Sequence, residues 1–155
     1  AGITYVLVKN LVVSVQRQKR QMSVVLYNKT VSVPCIGLLD SGNLLTMPLS
    51  GNPVHIADAA LLQKLVDEKT VQKEIEYRAL GNPHGKLQVY CMDGMKVETE
   101  PAKFCDWKQV WVGCAENGVL CNKPYQLILH ASVADHCGCT KRSIPNDKKT
   151  EKGET

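Results

Sequence analysis

Apolar residues in this chain gather in short runs broken by turn-forming clusters, a spacing that predicts strands far more often than helices. Met22-Ser23-Val24-Val25-Leu26-Tyr27 and Val31-Ser32-Val33-Pro34-Cys35-Ile36-Gly37-Leu38-Leu39 flank Asn28-Lys29-Thr30, which reads as a hairpin whose second arm ends at Asp40. Ile75 to Leu80 and Lys86 to Met92 predict two further strands joined through Gly81-Asn82-Pro83-His84-Gly85, and a strand over Met95 to Glu98 follows an Asp93-Gly94 turn. Gln109 to Gly113 and Tyr125 to Val133 complete the strand set. One segment has a different period: Leu61, Leu62, Leu65 and Val66 recur at helical spacing, so Ala59 to Glu68 predicts a helix capped by Asp58, its stripe facing core or interface. Ile3 to Val15 is apolar except for Lys9-Asn10 and is either one more strand or a juxtamembrane tether. Thr140 to Thr155 is almost wholly polar and reads as a flexible tail.

Length and composition narrow the class. A chain of 155 residues with 44% hydrophobic content fits one domain, and 5% aromatics leaves the core to Val, Leu and Ile, which suits strands. The formal net charge of +4 is concentrated in Gln16-Arg17-Gln18-Lys19-Arg20 and the lysine-rich C-terminus. Neither cluster is interleaved with aromatics, which argues against nucleic-acid binding; a solvated face or an anionic membrane surface fits the first cluster better. No apolar stretch reaches the roughly 20 residues of a membrane-spanning helix. Seven cysteines, an odd number, suit buried thiols in a reducing compartment. Cys137-Gly138-Cys139 beside His136, with Cys105, Cys114, Cys121 and His130 upstream, offers zinc donors, but at spacings of no common structural site, so neither metal nor other cofactor is expected. No local signature marks a cysteine nucleophile paired with His84, His130 or His136, and His55 reads as a packing or capping residue.

The chemistry-bearing feature is Ile36-Gly37-Leu38-Leu39-Asp40-Ser41-Gly42-Asn43. An apolar strand delivers one carboxylate into a turn, a hydroxyl follows that can bond neighbouring backbone, and glycine lets the chain bend close to a substrate. That pattern suggests half of an aspartic protease site, and it is also what an ordinary solvated turn closing a hairpin looks like.

The residues that follow tip the balance. Asp40-Ser41-Gly42-Asn43-Leu44-Leu45-Thr46-Met47-Pro48-Leu49-Ser50-Gly51-Asn52-Pro53-Val54 resembles the catalytic stretch of the sporulation sigma-E factor processing peptidases. The resemblance extends to Tyr77-Arg78-Ala79-Leu80-Gly81, His84-Gly85-Lys86-Leu87, Val112-Gly113 and Tyr125-Gln126-Leu127-Ile128-Leu129-His130, in the same order over roughly residues 22 to 131. Two features depart from the family pattern: Met47 stands where an acidic residue is usual, and Cys114 to Lys123 is longer and richer in cysteine.

The resemblance implies a mainly β, retropepsin-like single lobe: a closed, barrel-like sheet with one short helix, expected to dimerise. It divides the chain into an N-terminal strand or juxtamembrane linker (1–21), an aspartic protease domain (22–139) and a flexible tail (140–155). It makes Asp40 the catalytic acid and gives Ser41, Gly42 and Asn43 to the support of the active-site loop. Tyr77, Arg78, Gly81 and Gly85 become flap candidates, with a plain surface hairpin as the alternative reading, and Gln109 to Gly113 is either similar to the hydrophobic-hydrophobic-Gly element that braces the catalytic loop in such lobes or only a core strand. Because the Asp-Ser-Gly unit occurs once, the second carboxylate of the dyad would come from a second copy of the chain. The resemblance also implies a sigma-factor precursor as substrate, a separate activating signalling protein, and an N-terminal membrane domain holding this one on the cytoplasmic side of the cell membrane. Two readings of another class stay open: a noncatalytic interaction module on the same fold, and a small Cys/His metal-binding domain.

Overall fold

A computed structural model describes residues 19–79, 82–116 and 118–136. The first hairpin forms as the pattern predicts, from β1 (Lys19–Asn28) and β2 (Val31–Asp40), paired from Asn28↔Val31 to Lys19↔Asp40. Met22, Val24, Leu26 and Asn28 are buried on one face of β1, the period of two expected of a strand with one side on a core. The strand begins three residues before the predicted domain boundary, so Lys19 and Arg20 of the basic cluster belong to the sheet. The two-residue turn, Lys29-Thr30, holds Lys29 at φ 55°.

The remaining elements are β3 (Val54–Ala57), α1 (Ala59–Gln63), β4 (Gln72–Ala79), β5 (Asn82–Glu100), β6 (Lys103–Cys114), β7 (Leu127–Leu129) and α2 (Val133–His136). The strands pair in the order β1-β2-β7-β3-β6-β5, and β5 returns to β1 through Val24–Tyr27 against Gly94–Val97, closing a six-stranded barrel. β4 pairs only with β5 and stands outside the ring as the outer arm of a hairpin.

Three predicted elements differ in form. The separate strands around Asp93-Gly94 are one 19-residue strand, because Gly94 is no turn: Tyr27 lies over it so closely that a Cβ there would sit 2.1 Å from the Tyr27 hydroxyl. The helix is five residues long, not ten, and Asp58 makes no side-chain cap bond. After Gln63 the bonds tighten to three-residue turns, Lys64 N–H to Leu61 O at 3.2 Å and Leu65 N–H to Leu62 O at 3.0 Å, and the Leu65 carbonyl leaves the helix to accept from buried Asn28 Nδ2 at 2.9 Å. Tyr125 to Val133 contains only the three-residue strand β7, and Val133 opens a second short helix where one was expected.

The barrel is filled from β1, β5, β6 and β7, and Leu61 and Leu62 of α1 with Leu65 just after it pack into the same core. With few aromatics available, Met22, Met92 and Met95 take the irregular space. A second, smaller cluster of Met47, Val54, Ile75, Leu87 and Val89 lies between the β4–β5 hairpin and the barrel, with Leu45, Ile56, Tyr77 and Trp111 packed against it.

Candidate active site

β2 delivers Asp40 at its last residue, which is 5% exposed. Two strands hold that end: β1 on one side and, on the other, β7, which runs parallel to β2 through Gly37↔Leu127 to Leu39↔Leu129. The close fit explains Gly37, where a Cβ would meet Val24 at 2.8 Å and Leu129 at 3.1 Å. The turn then folds back on the acid, with Gly42 N–H donating to Asp40 Oδ1 at 2.9 Å and Asn43 N–H to the Asp40 carbonyl at 3.0 Å. Ser41 sits exposed at the outside of this turn.

Asn43 clasps the loop. Its Nδ2 donates to the Val54 carbonyl at 3.3 Å, its Oδ1 accepts from Leu45 N–H at 3.2 Å, and its carbonyl accepts from Ala131 N–H at 2.9 Å. These bonds tie the segment after the acid to β3 and to the chain following β7. The brace behind the loop is therefore β7; Gln109 to Gly113 lies in β6, beyond β3 and two strands further round the ring.

Two histidines complete the brace, and sequence reasoning did not find them together. His55, buried on β3, accepts the His130 backbone N–H on Nδ1 at 2.9 Å. Ser132 N–H donates to His130 Nδ1 at 3.0 Å and its hydroxyl lies 2.8 Å away, so the bonding pattern puts the His130 proton on Nε2, a buried atom without a hydrogen-bond partner. Burial, helped by the neighbouring His130 ring, lowers His55 to about 3. Burial also lowers His130, against smaller upward pulls from the Leu44 backbone, which reaches no full hydrogen-bond geometry with the ring, and from Asp135. Both rings are neutral struts; the only hint in the sequence is that His55 stands among Val54, Ile56 and Ala57.

Beside the acid opens a cleft of about 550 Å³. It is lined by Gly42, Asn43, Leu44 and Leu45 from the segment after the acid, Ile56 of β3, Tyr77 and Leu87 of the β4–β5 hairpin, and Ala115, Glu116 and Val119 from the segment after β6. The structure thus brings Tyr77 to the same cleft as the Asp40 loop and sets Gly85 opposite it in the hairpin, so close that a Cβ on Gly85 would come within 2.3 Å of the Tyr77 ring. The Arg78 side chain and Gly81, the other flap candidates, lie outside what is described, as do residues 1–18 and the tail beyond His136.

Among the described residues no three His, Cys, Asp or Glu side chains gather as metal donors; Cys137 and Cys139 fall outside them. Burial raises the thiol of Cys35 to about 11 and, with a smaller push from the Asp58 carboxylate, raises that of Cys114, which disfavours the reactive thiolate at both. Among the described residues no helix is long and apolar enough to cross a membrane.

Comparison with characterised proteins and with solved structures gives no match. The family comparison is positive across the whole described site: residues 1–133 match the peptidase family of the sporulation factor SpoIIGA, and the chain belongs to that family of sporulation peptidases.

Proposed function

We propose that this chain is an aspartic endopeptidase domain that works as a homodimer, with Asp40 of each subunit forming the catalytic pair, and that it removes the pro-segment of a sporulation sigma-factor precursor. The observation that carries the reading is the setting of Asp40: a carboxylate on a doubly braced strand end, its loop folded over it by Gly42 and Asn43, beside a cleft under a hairpin. Across a twofold axis two such acids a few ångströms apart cannot both ionise cheaply, so one keeps a proton and the pair titrates as a unit. The ionised member takes a proton from a water, whose oxygen attacks the peptide carbonyl carbon. The neutral member donates to the carbonyl oxygen, and collapse of the tetrahedral species breaks the C–N bond as the leaving amine is protonated. Ser41 steadies the paired loops and Gly42 admits the substrate backbone. An extended substrate adds as a strand between hairpin and floor, its alternate side chains entering pockets.

Membership in the SpoIIGA family supports the sporulation precursor as substrate. In the same reading a separate signalling protein activates the enzyme, and an N-terminal membrane domain holds it on the cytoplasmic side. The test is Asp40→Asn: cleavage of a precursor peptide falls by about a thousandfold or more, while circular dichroism and the unfolding midpoint stay close to those of the parent. Equal cleavage by the variant excludes the mechanism, and binding without turnover by the parent selects the noncatalytic module.

A further inference from the structure

Ile56 lines the cleft beside Asp40, and its neighbour His55 lines a second opening, of about 260 Å³. Successive strand residues point to opposite faces, so the two openings lie on either side of β3. Both tryptophans of the chain, Trp107 and Trp111, border the second one, each half-buried. Gln109, between them on β6 and also in the lining, is held at φ 53°, a left-handed conformation that glycine adopts far more readily. Keeping a glutamine there keeps an amide at the cavity.

The deciding group is His55. The residue is 3% exposed, and its Nδ1 accepts the His130 N–H at 2.9 Å, which puts the ring proton on Nε2. Among the described residues the only fully enclosed side-chain nitrogen or oxygen without a partner is His130 Nε2, so the His55 Nε2–H, which has no hydrogen-bond partner either, reaches open space, and the opening is the cavity that His55 lines. A donor at this depth gains most from a ligand that brings an acceptor. Lys108 lines the same cavity, but its ammonium donates to the Tyr27 hydroxyl at 2.6 Å and pairs with Asp106 Oδ2 at 3.0 Å. A carboxylate would find that charge already matched, whereas a neutral carbonyl oxygen brings no charge to bury. The indoles favour an aromatic body, and a volume below the roughly 300 Å³ of a drug-sized pocket keeps it small.

We propose that this cavity is a second binding site, for a small neutral ligand that presents a carbonyl oxygen on an aromatic body, and that its occupancy steadies the Asp40 loop. An acceptor on Nε2–H fixes the ring in the tautomer whose Nδ1 holds the His130 N–H. The next amide, Ala131 N–H, donates to the Asn43 carbonyl at 2.9 Å, so a ligand on His55 is joined to the Asp40 loop through two hydrogen bonds. The assignment does not depend on the peptidase chemistry. A free carboxamide or an aromatic residue of a peptide supplies the same recognition.

Because both tryptophans border the cavity, their fluorescence reports its occupancy. The chain is titrated at neutral pH with benzamide, benzoate, toluene and N-acetylphenylalaninamide. Benzamide shifts the emission and binds about tenfold tighter than toluene, which leaves the Nε2–H unpaired, and tighter than benzoate. In the benzamide-saturated protein the His130 and Ala131 amides exchange more slowly by NMR. N-acetylphenylalaninamide binding tighter than benzamide supports the site with a peptide as its source, and weaker binding supports it with a free small molecule. His55→Asn keeps an oxygen for the His130 N–H, but its shorter amide withdraws from the cavity and the preference for benzamide over toluene disappears. Gln109→Gly, at a backbone position that suits glycine, holds or raises the unfolding midpoint while weakening benzamide. Equal affinities for benzamide and toluene, benzoate binding as tightly as benzamide, failure of all four compounds to bind, or a preference for benzamide unchanged in His55→Asn would each overturn the site. Unaltered exchange at His130 and Ala131 in the saturated protein would overturn its coupling to the Asp40 loop.

Discussion

His55 and His130 carry a load that their chemistry alone does not announce. The 2.9 Å bond from His130 N–H needs an unprotonated Nδ1 on His55, so protonation of that ring at Nδ1 would cut the tie between β3 and the end of β7, directly behind the Asp40 loop. The folded value of about 3 lies below the ordinary 6.5, so in that window the unfolded chain binds the extra proton and stability rises with pH. Stability is fully present above about pH 6.5 and drains away as the pH falls toward about 3, by up to about 5 kcal/mol from this residue. His130, shifted the same way, adds to the slope. His55→Asn, whose amide oxygen can stand in for Nδ1, is expected to flatten the acid limb of a urea-unfolding series, whereas His55→Leu leaves the His130 amide buried without an acceptor and lowers stability at neutral pH by about 1–3 kcal/mol. An unchanged pH slope in His55→Asn would remove the strut from this account. Asp40, Ser41, Gly42 and Asn43 are contiguous, so the sequence alone can nominate them together as a candidate site; the two histidines are 75 positions apart and come together only where β3 meets β7.

Among the elements, the long strand β5 does two jobs, pairing with β4 along its first half and with β1 along its second while β6 follows most of its length. Asp93-Gly94 carries every local mark of a turn, and the barrel overrides it because Gly94 is the spot where Tyr27 can cross the seam. The shortened helix has the same kind of cause, a tertiary acceptor taken by Asn28 that no periodicity could reveal. The two buried glycines of β5 respond differently to a methyl group. At Gly94 the new Cβ meets not only the Tyr27 hydroxyl at 2.1 Å but the Trp107 backbone carbonyl at 2.8 Å, which cannot swing aside. Gly94→Ala is therefore expected to cost about 1–3 kcal/mol in a urea midpoint series. At Gly85 the obstacle is the far end of the Tyr77 ring, at 2.3 Å, which can rotate out over the cleft. Gly85→Ala should keep its midpoint nearer to the parent's and raise KM several-fold with little change in kcat, since it disturbs Tyr77 in the cleft lining and not the acid. A fall in kcat at constant KM would show that the hairpin acts on the chemistry and not on substrate capture.

At the scale of the whole molecule, the described residues close six strands into a ring, with β4 outside it and the Asp-Ser-Gly loop at the end of β2; the mainly β character was legible in short apolar runs punctuated by turns, whereas the closed barrel was implied only by the family resemblance. Under the proposed mechanism one carboxylate cannot both hold and withhold a proton in the same step, and a second copy of the chain is proposed to bring the other. Two consequences follow that a one-chain enzyme would not share. Activity per chain should rise with protein concentration until the pair is saturated, and dilution should reverse it. Chains carrying Asp40→Asn should also poison the parent, because mixed pairs possess one acid and one amide. At a large molar excess of the variant nearly every parent chain is held in such a pair, and cleavage should fall far below that of the same amount of parent alone. An added Asp40→Asn chain that leaves the parent's rate unchanged, after time for subunit exchange, would mean that each chain works alone, and the source of the second proton would have to be sought within the lobe itself.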